Sequence, residues 1–162
     1  MGVNHFYVNH DKRQYFLTGL WGYRGYSGRS AAIGQGPGAR VLAILLSDRG
    51  VWQGDRISVV ADTSPVFEEL QENGVDIEIE AELMLLDLEP LSIAECGDSA
   101  FTRLCAYAVL LRHPKAIQIL DTKYGPHKWL ARYNKSLQHN TDLRSQRVLA
   151  ARERALRLLK TD

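Results

Sequence analysis

The sequence predicts an α+β protein, with an antiparallel sheet in its N-terminal part and helices in its C-terminal half. Aromatic-rich runs near the start favour strands, whereas the pattern after Pro90 has the period of a helix. Of the 162 residues, 45% are hydrophobic and 24% are charged, as in an ordinary globular protein. We therefore expect one domain over residues 1–162, sheet-rich over 1–90 and helical and basic over 91–162.

The first elements are a hairpin and a long loop. Residues 5–8 and 13–17 are aromatic-rich and flank the polar stretch 9–12, whose Asn and Asp side chains favour a turn. Seven of the thirteen glycines then fall within 19–38, which is too dense for a regular element. This composition predicts a glycine-rich loop over 19–38.

Three short elements follow the loop. Residues 39–47 form an apolar run for which a buried helix is slightly favoured over a strand. A Gly-Asp turn predicts a strand over 56–61. The Ser-Pro pair at 64–65 predicts the capped start of a helix that Gly74 ends.

The segment 75–83 fits two patterns. Polar and apolar residues alternate strictly over these nine positions, which is typical of a strand. A helical stripe through Ile77, Ala81 and Met84 also fits, but the length of the alternation decides for a strand. On that interpretation four carboxylates share one face, with neighbours about 7 Å apart. They are Asp76, Glu78, Glu80 and Glu82.

The C-terminal part predicts four helices, because apolar residues recur at helical spacing and breaks that contain proline or glycine separate the first three. The predicted helices cover 98–111, 114–124, 126–139 and 142–160.

Charge is sorted along the chain in three blocks. Residues 1–50 carry a net charge of +4, residues 51–99 carry −12, and residues 100–162 carry +9, although the whole chain is only +1. Such asymmetry bears on association rather than on fold. Either the acidic and basic blocks pair inside one fold, or one of them faces an oppositely charged partner, and both alternatives stay open from the sequence.

The acidic block suggests a binding surface for a basic protein. Carboxylates that repel one another on an exposed strand become favourable opposite a basic partner, where they speed and orient association. The predicted contact face consists of Asp76, Glu78, Glu80 and Glu82, with Trp52 or Tyr26 as aromatic anchors.

The basic block suggests a different function, contact with nucleic-acid phosphates. Lys128, Arg132 and Lys135 recur on one face of a predicted helix, and Arg144 and Arg147 lie on the next. The alternative is a solvated helix face over an apolar core.

Other features predict little chemistry. A small enzyme that uses His10 is the third hypothesis, but no nucleophile, base and orienting group stand at a readable spacing.

Cys96 and Cys105 have no metal-site spacing and are expected to be buried thiols, so we predict no cofactor and no metal. No apolar run approaches the roughly 20 residues of a membrane span, and the start lacks a signal-peptide pattern, so we expect a cytoplasmic protein without membrane contact.

Two blocks carry a family resemblance over about the first 65 residues. Residues 6–12 read aromatic-x-Val-Asn-His-x-Lys, and residues 52–56 read Trp-x-Gly-Asp-Arg. In these blocks the chain resembles a family of small, largely uncharacterised bacterial proteins that includes candidate immunity proteins encoded beside toxins. The resemblance implies a cognate toxin enzyme as the partner, and the acidic block implies that this partner is basic.

The leading hypothesis is therefore a non-enzymatic protein-binding module, most concretely an immunity-type inhibitor that neutralises a bacterial toxin enzyme through an acidic surface. Nucleic-acid binding by the basic helices is the second hypothesis.

Overall fold

A four-stranded sheet forms the N-terminal part of the computed structural model, which describes residues 3–25, 33–89, 95–137 and 143–160. The strands are β1 (His5–Asn9), β2 (Gln14–Leu17), β3 (Ile57–Ala61) and β4 (Val75–Asp76), in the spatial order β3-β1-β2-β4. Strand β1 is antiparallel to both β2 and β3, and the two-residue β4 runs parallel to β2. The predicted hairpin is confirmed.

Seven helices fill the rest of the described chain. The first three are α1 (Gly36–Leu46), α2 (Pro65–Asn73) and α3 (Glu78–Leu88). The remaining four, α4 (Phe101–Leu110), α5 (Pro114–Tyr124), α6 (Lys128–Leu137) and α7 (Leu143–Leu156), lie in the C-terminal half. The architecture is α+β, as the sequence predicts.

Local signals set most helix ends. The Ser64 hydroxyl accepts a hydrogen bond from the Val66 backbone amide at 3.2 Å, so Ser64 caps α2 as predicted. Prolines occupy the first turns of α2 and α5, where a missing backbone N–H is harmless. The last predicted helix is too long, because α7 ends at Leu156 and Leu159 then pairs with Gly50 in an antiparallel bridge.

The two faces of the sheet pack into different apolar clusters. Tyr7 and Phe16 belong to the main core with the C-terminal helices. The opposite face packs on α2 through a smaller cluster of five buried residues. They are Val8, Tyr15, Val60, Phe67 and Leu70.

The prediction of a strand over 75–83 is wrong, because only Val75–Asp76 is extended and α3 begins at Glu78. The Asp76 carboxylate accepts a hydrogen bond from the Glu78 backbone amide at 2.9 Å, which turns the chain into the helix. All eight residues from 79 to 86 are buried, since α3 packs against α1, α5, α7 and strand β2. A helix enclosed on every side needs no polar face, so the helical stripe through Ile77, Ala81 and Met84 is less regular in the sequence than the alternation that suggested a strand.

The glycine-rich segment is partly packed. Leu20–Gly25 forms a short 3₁₀ helix, and Leu20 and Trp21 are fully buried in the main core. The backbone amide of Gly34 donates to the Tyr7 hydroxyl at 2.8 Å, which ties the end of the segment to the sheet. Tyr26 lies outside the described residues.

Candidate functional site

Glu82, a predicted partner-binding residue, lies at the centre of a buried hydrogen-bond network. Its carboxylate has no exposed surface and accepts bonds from Arg103 Nε at 2.8 Å and Arg103 Nη2 at 3.0 Å. The Tyr107 hydroxyl donates to the same carboxylate at 2.6 Å, and the Trp21 backbone amide donates at 3.2 Å. Burial and the adjacent Glu82 carboxylate raise the pKa of Tyr107 well above its usual value. Glu82 is therefore a structural ion-pair partner, because bidentate pairing satisfies its buried charge.

Asp76 and Glu78 also face the basic helices. Glu78 Oε1 lies 3.6 Å from Arg103 Nη2, and Arg147 Nη2 donates to the Asp76 backbone oxygen at 3.3 Å. Burial and the neighbouring Glu82 charge raise the pKa of Glu78 to about 7. Burial likewise raises the pKa of Asp76. The acidic and basic blocks therefore meet inside the fold.

The prediction that Asp76, Glu78, Glu80 and Glu82 form one exposed acidic face is thus wrong. It assumed a strand with one face in water, whereas Glu80 and Glu82 lie on a buried helix. Trp52 is not an exposed anchor either. Its side chain is fully buried, its Nε1 donates to Gln14 Oε1 at 2.8 Å, and its ring lies 5.6 Å from the Phe16 ring.

Glu80 lines an open cavity. The cavity has a volume of about 340 Å³ and lies between the start of β2, the start of α3 and the end of α7. Its lining residues are Lys12, Gln14, Val51, Val75, Ile77, Glu80, Arg154, Arg157 and Leu158. This volume falls within the range of pockets that hold small ligands or inserted side chains.

The Glu80 carboxylate has unused hydrogen-bonding capacity. The residue is only 3% exposed, and its Oε2 has no hydrogen-bond partner among the described residues. Its Oε1 lies 3.8 Å from Arg154 Nη1, a loose contact with a side chain that is 58% exposed. Burial raises the pKa of Glu80, opposed by its own backbone amide and by Arg147 and Arg154. A buried acceptor left without a partner is destabilising, and because Oε2 itself is fully buried, a donor in the cavity reaches it only if neighbouring side chains move.

Lys12, from the first family-like block, lines this cavity and is held by the second block. Lys12 forms an ion pair with Asp55, and Asn9 Nδ2 donates to the same Asp55 carboxylate at 2.8 Å. The Asn9 side-chain oxygen in turn accepts from the Lys12 backbone amide at 2.8 Å. The blocks at 6–12 and 52–56 are therefore joined by hydrogen bonds, which fix Lys12 and Gln14 at the rim.

Sequence reasoning identified Glu80 but missed the rest of the cavity. Arg154 and Arg157 lie at the end of α7, Lys12 lies in the hairpin turn, and Gln14 begins β2. The only available signal was the pair of blocks that brings Lys12 and Gln14 close to Trp52. Nothing in the sequence places those residues beside Glu80, because four distant segments meet there only in the folded chain.

The predicted nucleic-acid residues lie on α6 and α7. Lys128 and Lys135 are exposed, and Arg132 is exposed with its guanidinium carbon 4.2 Å from the centre of the Phe101 ring. Arg147 is exposed and contacts the Asp76 backbone. The side chain of Arg144 lies outside the described part.

Other candidate groups occupy separate places. His10 Nε2 lies 2.5 Å from the Ser58 hydroxyl and does not line the cavity. Cys96 and Cys105 are buried, and burial raises the pKa of each thiol to about 12. Across the residues that the structure describes, no three His, Cys, Asp or Glu side chains converge as a metal ion would require.

Comparison of the chain with protein-family models, curated proteins and solved structures gives no match. Over the described ranges, no helix combines the length and apolar character that crossing a membrane requires.

Proposed function

We propose that this chain is a non-enzymatic protein-binding module, and that the cavity over Glu80 receives a side chain of the partner. Its most concrete form is an immunity-type inhibitor that holds a toxin enzyme. The proposal keeps the predicted protein partner but moves the contact from an acidic face to one cavity that contains Glu80.

The observation that carries the proposal is the Glu80 carboxylate, which is 97% buried and has an oxygen without a hydrogen-bond partner among the described residues. Folded proteins rarely leave a buried charged acceptor incompletely bonded. Glu80 lines an open cavity, so a donor from another molecule can bond to its carboxylate once neighbouring side chains move.

The surroundings of the cavity favour an inserted side chain. Val75 lines the cavity and remains 53% exposed, so an apolar contact is available at the mouth. Ile77 and Leu158 provide buried apolar walls further in. Protein interfaces commonly concentrate their affinity in a few side chains that fill pockets of this kind.

Partner capture with a Glu80→Gln variant tests the proposal. Glutamine keeps the shape of the side chain and removes its charge, so the fold should survive. We expect the tagged wild-type chain to retain one stoichiometric protein from nuclease-treated lysate of its native host, and Glu80→Gln to retain at least tenfold less. Glu72→Gln is the matched control, because it removes the same charge from an exposed position on α2 and should retain as much as the wild type.

Two results would contradict this proposal. Failure of the wild-type chain to retain any stoichiometric protein at low salt would argue against a protein-binding module. Equal retention by wild type and Glu80→Gln would place the contact elsewhere. If a partner is captured, an assay of its enzymatic activity with and without the chain decides whether the binding is inhibitory.

A second candidate function, nucleic-acid binding, is favoured by the exposed Lys128 and Lys135 on one helix. It predicts retention of RNA or duplex DNA that weakens steeply as salt rises. The double variant Lys128→Gln/Lys135→Gln should reduce the salt dependence of nucleic-acid retention, whereas Arg152→Gln on α7 should leave it unchanged. No retention at low salt would dismiss this candidate.

A further inference from the structure

We propose that the group received by the cavity is a cationic head on an aliphatic stem, as in lysine or arginine, and that Arg154 is the internal group it replaces. This inference rests on the proposed function for the identity of the partner. The chemistry of the cavity is testable without any partner.

The first argument is the sign of the buried charge. Glu80 is the one carboxylate among the nine described side chains that line the cavity. It is also the deepest charged group, being 3% exposed, whereas the Arg154 side chain is 58% exposed. A buried carboxylate is stabilised most by a cation that also donates hydrogen bonds, because charge-assisted bonds are about twice as strong as neutral ones.

The second argument concerns the three cations that line the cavity, Lys12, Arg154 and Arg157, of which Arg157 is exposed to water. Lys12 is already paired with Asp55, which offsets its charge. Arg154 approaches Glu80 at 3.8 Å, beyond normal hydrogen-bond length, and its exposed side chain can turn into water. An ion pair this loose and exposed is weak, so an incoming cation can displace Arg154 at little cost.

The third argument is the shape of the lining. Four apolar residues, Val51, Val75, Ile77 and Leu158, share the cavity with Glu80. The methylene stem of a lysine or arginine packs favourably on such a surface while its head reaches a polar group. The lining therefore matches both ends of one side chain.

Small-molecule probes provide the test. The full chain is titrated with n-butylammonium and n-butylguanidinium, which represent the two side chains, and with n-butyrate, which has a similar stem and the opposite charge. Backbone amide chemical shifts measured by NMR locate the binding and give the dissociation constant. We expect both cations to shift amides of the cavity lining in a saturable way and n-butyrate to leave them unchanged.

Variants separate the two parts of the inference. Glu80→Gln should weaken binding of the cations by at least tenfold. Arg154→Ala should tighten it by roughly two- to fivefold, because it removes a competitor whose contact has the strength of an exposed ion pair. Arg152→Ala, two residues away on the exposed surface of α7, should leave the dissociation constant within experimental error of wild type.

Saturable binding of n-butyrate, weakened in Arg154→Ala, would overturn the inference and identify an anion site formed by the rim cations. Absence of any saturable shift would also overturn it, since neither cation would then occupy the cavity. Unchanged or weaker cation binding in Arg154→Ala would refute the displacement. If the cations bind but no protein is captured, only the proposed function fails. If a partner is captured through Glu80 but neither cation binds, only this inference fails.

Discussion

Removal of Arg103 should reveal how strongly the fold depends on the ion pair between the acidic and basic blocks. The change is Arg103→Met, which keeps the length and packing of the side chain but removes its charge. Glu82 then keeps hydrogen bonds from Tyr107 and the Trp21 amide but loses both bonds from the guanidinium, at 2.8 and 3.0 Å.

The expected magnitude follows from burial. The Glu82 side chain has no exposed surface, whereas the Arg103 side chain is 26% exposed. Breaking a buried ion pair on one side leaves an uncompensated buried charge and typically costs 3–5 kcal/mol. Since Tyr107 and the Trp21 amide still bond to Glu82, we expect the lower end, a loss of about 3 kcal/mol in the free energy of unfolding.

Urea denaturation followed by circular dichroism at pH 7.5 measures this loss. The single variant Glu82→Gln and the double variant Arg103→Met/Glu82→Gln complete a double-mutant cycle. The double variant should be at least as stable as Arg103→Met alone, because a neutral amide is not an unpaired buried charge. The coupling free energy between the two positions should be about 2 kcal/mol. Arg152→Met, at an exposed position, should change stability by less than about 0.5 kcal/mol.

Two outcomes would refute this reasoning. A loss below about 1 kcal/mol in Arg103→Met would mean that Glu82 is adequately stabilised without the arginine. Effects of the two substitutions that add to within about 0.5 kcal/mol would mean that the two residues are not energetically coupled.

Three further predictions concern stability. The pKa of Glu78 is about 7 in the folded chain, against an ordinary value of 4.5. Between pH 4.5 and 7 the folded chain therefore holds a proton on Glu78 that the unfolded chain has lost. The free energy of unfolding should fall by up to about 3 kcal/mol as pH rises through that range. Urea titrations from pH 4.5 to 8 should show a weaker fall of the free energy of unfolding in Glu78→Gln than in the wild type, and an unchanged fall in Glu72→Gln. The same pH dependence in the wild type and Glu78→Gln would disprove the prediction. Glu80→Lys should lower the free energy of unfolding by at least about 2 kcal/mol in the same assay, because it would bury a second cation beside Arg154. A variant as stable as the wild type would instead show that the site is open to water. Gly38→Ala should lower the melting temperature, because a Cβ at this position would lie 2.2 Å from the Thr18 backbone oxygen. Alanine itself favours helices, so a higher melting temperature would contradict this close packing.

Much of the fold is readable from local signals. The hairpin is readable because its aromatic strands flank a polar turn, and α2 is readable because Ser64, Pro65 and Gly74 mark its ends. The C-terminal helices can be predicted because their apolar residues recur at helical spacing and because proline or glycine separates the first three. These signals act over a few residues, so a single sequence carries them.

The candidate site was less predictable, and α3 shows why. Its residues satisfy a strand pattern, and only packing on all sides makes the helix the better solution. The partners of its acids are distant in sequence, since Glu82 pairs with a residue 21 positions away. A search for acidic residues therefore finds Glu80 and Glu82 equally well but cannot tell which one retains a spare acceptor.

The sequence by itself determined the α+β class, the positions of the hairpin and most helices, and the separation of charge into opposed blocks. The tertiary structure decided that those blocks pair with each other inside the fold, that Trp52 supports the core, and that Glu80 lines the cavity described above. The physical reason is range. Backbone conformation follows from neighbouring residues, whereas burial and ion pairing depend on which distant side chains the fold brings within a few ångströms.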